Sequence, residues 1–241
     1  MDIKEREKLA KEIAADWDVK QWKEGPVDNF VEVEKLLNFQ DDKEFYFLQI
    51  LKRKKENPDM KGDSVPLKTV YIHRHGQLLD IAPDLIEMAE AKNARIYLNP
   101  NVKSSKKALL QCIAEMARRA AAEDYFKPHK IYDSVVGQIG ACRDNRWIVD
   151  IDNDYIENYL GRSVDMDSME EFVKKVLDTL EECEPKNTDK YAGHVVTRNG
   201  IHIITRPFNP VAFSKVFPKL DVHKNNPTLV YCPAIRKENQ S

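Results

Sequence analysis

The chain has 241 residues, a formal net charge of -2, 42% hydrophobic and 32% charged residues, the composition of a globular protein with a highly charged surface. It is long enough for one large domain or two small ones and has no apolar run long enough for a membrane-spanning helix. Its near-neutral charge gives no global pull toward nucleic acid, although a local basic patch is compatible with it.

Cys112, Cys142, Cys183 and Cys232 are widely spaced and form no CxxC pair. Neither a zinc knuckle nor a disulfide framework is indicated. The charged start, Met1 to Arg6, lacks an apolar signal core. A cytoplasmic protein is the expectation.

In chain order, residues 1–20 read as a charged helix whose thin apolar stripe, Ile3, Leu9, Ile13 and Ala14, needs a larger body to dock on. Gly25-Pro26 breaks it, and a second helix is expected over Val31 to Leu37. Glu44 to Leu51 reads as a strand, followed by the basic run Lys52 to Lys55, read as a solvated strand end with nucleic-acid contact as the alternative. Lys68 to His73 is a further strand, and His73 and His75 lack a nearby carboxylate or cysteine that would make them metal ligands. A short helix over Pro83 to Ala91 and a strand over Ala94 to Leu98, stopped by Asn99-Pro100, precede a long helix capped by Ser104 or Ser105 and running to Ala122. In that helix Leu109, Ile113 and Met116 share one face.

Trp147 to Asp152 reads as a buried strand ending in carboxylates. Alternation puts Ile148, Asp150 and Asp152 on one face and Trp147, Val149 and Ile151 on the other. Two neighbouring carboxylates at the end of an apolar strand repel each other, and a divalent cation with hard oxygen ligands relieves that repulsion. The same residues also suit a structural role, with Asp152 opening a turn or capping a helix near Tyr155. Next come a short helix ending at Gly161 and an amphipathic helix from Asp167, with Phe172, Val176 and Leu180 on one side and Pro185 at its end.

His194 to Pro207 carries Asn199-Gly200 between two β-branched runs, a hairpin signal of the type I′ kind. The expected register pairs Arg198 with Ile201 and Thr197 with His202. Thr197, His202 and Arg206 then share a face whose hydroxyl, imidazole and guanidinium all suit phosphate oxygens. A solvated polar face is the alternative. Asp221 is a third carboxylate after an apolar approach, and Thr228 to Tyr231 is a short strand.

The order of these three elements resembles the archaeo-eukaryotic primase superfamily, which includes primase-polymerases and the polymerase domains of bacterial end-joining ligases. Asp150-Ile151-Asp152 matches the first motif. Thr197-Arg198-Asn199-Gly200-Ile201-His202 matches the Ser-x-x-Gly-x-His motif with Thr for Ser, and Leu220-Asp221 matches the third. The stretch from Asp221 to Pro233, with Asn225-Asn226, is similar to the tail that follows it. Asn199 departs from the family's basic or small residue, so Arg198 or Arg206 is expected to supply the positive charge.

The resemblance implies a single α+β domain with a mixed sheet: a helical segment over 1–40, an α/β part over 41–140 and a motif-bearing part over 141–236. It further implies two Mg²⁺ or Mn²⁺ ions on Asp150, Asp152 and Asp221, and a triphosphate held by Thr197, Arg198, Gly200, His202, Arg206 and Asn225. The implied activity is nucleotidyl transfer from nucleoside triphosphates onto single-stranded or primed nucleic acid, with a replicative helicase as a candidate partner. A metal-dependent nuclease and a binding module with a decayed site are the rivals.

Overall fold

The structure is a computed structural model and describes residues 1–20, 25–125 and 127–234. The N-terminal helix α1 (Ile3–Lys20) buries Ala10, Ile13, Ala14 and Trp17. β1 (Val27–Asp28), α2 (Phe30–Leu36), β2 (Glu44–Arg53) and β3 (Ser64–Ile72) follow. Then come α3 (Gln77–Asp80), α4 (Ala82–Lys92), β4 (Arg95–Ser104), α5 (Ser105–Ala121) and α6 (Ile131–Val136). The chain continues through β5 (Trp147–Asp152), α7 (Asn153–Leu160), α8 (Met166–Glu182), β6 (Tyr191–Thr197) and β7 (Gly200–Thr205). It closes with α9 (Pro210–Val216), β8 (Asp221–His223) and β9 (Thr228–Cys232). Ser104 caps α5 by accepting from the Lys107 amide, and Asp165 opens α8 through a capping box with Ser168. Among the described residues no helix is long and apolar enough to cross a membrane.

The strands form two sheets, ordered β1-β9-β4-β2-β3 and β6-β7-β5-β8. The fold is α+β as expected, but among the described residues every hydrogen-bonded strand pair is antiparallel, in place of the expected mixed sheet. Helical crossovers do set β3 parallel to β4, and β5 parallel to β6. In each case a third strand, β2 or β7, lies between them. β9 sits between β1 and β4, so the motif-bearing part completes the sheet of the preceding part.

The alternation read from β5 is realised. Val149 and Ile151 enter a core with Val196, Ile201, Ile203 and the buried face of α8, including Phe172, Val176 and Leu180. The helical stretch between Asp152 and Thr197 thus covers the back of the four-stranded sheet, where α8 also packs on α1. Ile148, Val195 and Ile204 point the other way, into a second core shared with Leu48, Leu98 and Val230 of the five-stranded sheet.

Two local expectations are corrected. β4 does not stop at Asn99-Pro100. A bulge opposite Phe45 and Phe47 takes up the extra residues and lets the strand run to Ser104. The hairpin loop is Arg198-Asn199, not Asn199-Gly200, so Thr197 pairs with Gly200 and Val195 with His202. Moving the turn by one residue shifts each cross-strand partner by two, which preserves parity, so Thr197 and His202 still share a face.

Gly200 belongs to the strand because β7 lies against β5 there. A Cβ at this position would stand 2.0 Å from the Ile151 carbonyl oxygen and 2.9 Å from the Asp152 Cα. Gly200→Ala is therefore expected to destabilise the fold by roughly 3 kcal/mol or more, the upper end of overpacking costs, read as a lowered urea midpoint.

Candidate active site

The face of β5 that is apolar at Ile148 becomes acidic at Asp150 and Asp152, and there the two sheets enclose a cleft of about 370 Å³. Register fixes the wall. Asp150 pairs with His202 on one side and Asp221 on the other, and Asp152 pairs with Gly200. His202 Nε2 lies 3.3 Å from Asp150 Oδ1, and His223 Nε2 lies 3.8 Å from Oδ2. His202 Nδ1 meets the buried Thr228 hydroxyl at 2.9 Å. With a carboxylate at Nε2, the favoured neutral tautomer carries its proton there, and Nδ1 accepts from Thr228. A strand of the five-stranded sheet thus orients a ring that belongs to the four-stranded one.

The two β5 carboxylates are driven apart. Burial pushes Asp150 up, but the hydrogen bond from His202 and the positive potential of His202 and His223 outweigh it and hold its pKa below the ordinary value. Burial and the charge of Asp150 raise Asp152. Asp152 stands at the N-terminal boundary of α7, yet its side chain makes no capping hydrogen bond and lines the cleft. Among the described residues no three His, Cys, Asp or Glu side chains converge closely enough to hold a metal ion. The donors nonetheless suit a hard cation. Asp150 and Asp152 present carboxylate oxygens to one cleft and repel each other, and Asp221 follows on the same sheet face.

The opposite wall is cationic. Arg53, Lys55 and Arg95 line the cleft with Tyr97. The Tyr97 hydroxyl accepts from Arg53 at 3.2 Å and Arg95 at 3.5 Å, and Arg95 also pairs with Glu56. An adjoining chamber of about 490 Å³ shares Lys55, Arg95, Arg198 and Asn199 with the cleft, and Pro58, Ala94, Cys232 and Pro233 make its wall more apolar.

Of the residues singled out by sequence, Asp150, Asp152, Thr197, Arg198 and His202 line the cleft. Gly200 lets the hairpin approach, and Asp221 is exposed on the edge strand opposite Asp150. Arg206 is elsewhere. It is exposed, and its guanidinium donates to the Asp189 carbonyl. Asn225 is a structural bridge. It donates to the Gly137 carbonyl at 2.9 Å and accepts from Asn99 and Asn101, each at 3.2 Å, while its neighbour Asn226 reaches the cleft. Arg198 spends its donors on the carbonyls of Gly25 and Pro233, clamping the hairpin tip.

Sequence reading took Arg53 and Lys55 only as part of a solvated basic run and gave no role to Arg95, Tyr97 or His223. Arg53 and Lys55 lie in the basic run. Arg95 and Tyr97 are two apart on one strand, as are Asp221 and His223, and that spacing places each pair on one face.

Thr228→Val, nearly isosteric, is expected to cost about 1–2 kcal/mol by leaving the His202 ring nitrogen unpaired, with Thr228→Ser retaining the stability in the same urea titration. Compared with protein-family models, curated proteins and solved structures, the chain matches none.

Proposed function

We propose that the protein is a metal-dependent nucleotidyltransferase of the primase-polymerase kind, joining nucleotides from nucleoside triphosphates to a primer or first nucleotide on a nucleic-acid template. The observation that carries this reading is the opposition, across one cleft, of Asp150 and Asp152 to Arg53, Lys55 and Arg95. A carboxylate pair facing several cations suits a ligand that brings both a divalent metal and phosphates.

In this reading Asp150 and Asp152 hold Mg²⁺ or Mn²⁺, with Asp221 as the third carboxylate on the same face. When bound, the ions supply Lewis acidity toward a 3′-hydroxyl and charge neutralisation on the departing pyrophosphate. The guanidinium forks of Arg53 and Arg95 offer paired donors to phosphate oxygens, and Lys55 adds a point charge. His202, fixed by Thr228, holds its Nε2–H against Asp150 at the cleft wall, and Thr197 lines the same wall. The adjoining chamber, with apolar walls beside Lys55 and Arg95, suits the nucleoside part of the same ligand.

A second reading has a specific observation in its favour. Both oxygens of Asp150 already face imidazoles, and Asp221 does not line the cleft. That arrangement fits a module that binds triphosphates without turnover.

Single-stranded DNA, with and without an annealed primer, incubated with Mn²⁺ or Mg²⁺ and labelled nucleoside triphosphates, separates the two. Extension or priming is expected from the wild type. Asp150→Asn and Asp152→Asn are expected to lose at least about a thousandfold in rate, because metal stabilisation of transition-state charge is worth several kcal/mol. Equal product from either variant would sink the assignment, triphosphate binding without product would favour the binding module, and template loss would indicate a nuclease. Arg95→Ala is expected to raise the triphosphate KM about tenfold or more.

A further inference from the structure

α5 carries its bulk on the wrong side for a core helix. The residues it buries are small, Ala108 and Cys112, and they pack against Phe45, Phe47 and α6. Its large apolar side chains face outward: Leu109 is 57% exposed, Leu110 58%, Ile113 64% and Met116 53%. Exposed Ala117, Ala120 and Ala121 continue the same face to the end of the helix. Leu109, Ile113, Met116 and Ala120 follow the four-three-four spacing of a helix-packing seam. An apolar face of this extent marks an interaction surface.

We infer that this face is the interface between two copies of the chain, with the two α5 helices packed antiparallel about a twofold axis near Met116. The distribution of side chains selects that partner. Leucine and isoleucine fill the first half of the stripe and alanine fills the second. Antiparallel pairing therefore seats Leu109 and Leu110 on the partner's Ala120 and Ala121, and Ile113 on the partner's Ala117. Parallel pairing would set large against large and leave the alanines facing a gap.

Charge agrees with shape. Lys106 is exposed on the stripe's first turn, and Glu123 is exposed just beyond its last. Antiparallel pairing brings each lysine toward the partner's Glu123, while Arg118 and Arg119 of the last turn lie off the stripe. A 17-residue helix offers about 25 Å of contact. Two such faces bury on the order of 1,000 Å², the low end for a specific interface, so dimers are expected at micromolar concentrations.

Analytical ultracentrifugation of the full chain from roughly 1 to 200 μM tests this. The wild type is expected to shift from monomer to dimer, and Ile113→Glu to stay monomeric with an unchanged circular dichroism spectrum, since this side chain is exposed in the monomer. Lys106→Glu is expected to weaken the dimer about tenfold, and adding Glu123→Lys to restore it, because the two positions meet only across an antiparallel pair. A wild type that remains monomeric throughout, a dimer indifferent to Ile113→Glu, or a charge swap that fails to restore association would each overturn the proposal.

Discussion

One face of β5 must serve two media within six residues, and the architecture follows from that constraint. Ile148 needs a dry partner and finds it between the sheets, among Leu48, Leu98 and Val230. Asp150 and Asp152, on the same face, need polar company, so the sheets part there into a cleft. The opposite face stays apolar throughout and is sealed by α1 and α8. The period of two in a strand makes this division possible, and a slip of one place would put Val149 and Ile151 in the cleft and the carboxylates in the core.

The sheets are held at their spacing by polar ties as well as packing. Asn29, fully buried, donates to the carbonyls of Val196 and Leu229, one on each sheet. His202 and Thr228 make a second tie, and Arg198 a third at the hairpin tip. Asn29 has no water to fall back on, so its two bonds are expensive to lose. Against that frame the electrostatics are asymmetric. Asp150 is stabilised as an anion by imidazoles, whereas Asp152 is left to bear burial and its neighbour's charge, with only His202 and Lys55 pulling the other way.

Much of this could be read from sequence, for local reasons. The alternation of β5, the Asn-Gly hairpin and the apolar side of α8 are each set by neighbours a few residues apart. The turn lies one residue earlier than the Asn-Gly signal suggests, and the register differs by two places, because Gly200 reads as a turn residue while the structure uses it for its missing side chain against β5. The cationic wall was not legible. Arg53 and Arg95 share a cleft with the carboxylates only because β2 and β4 belong to the other sheet, a relation no periodicity reports. Arg206 failed for the complementary reason. Parity put it on the right face but said nothing of how far along the strand the cleft extends. The outward bulk of α5 was visible as a stripe, but a stripe does not say whether core or solvent lies beyond it.

The placement of β9 bears on how the chain acquires its structure during synthesis. Tyr97 pairs with Leu229 and Val27 with Cys232, so the five-stranded sheet waits for a strand synthesised long after its other members. Until then β4 offers an unpaired edge, and Leu98 and Ile96 lack the cover that Val230 and Tyr231 provide. Pairings this remote in sequence make for slow, late-closing folding. The nascent chain therefore passes through a period of exposed strand edge in which chaperone binding competes with aggregation.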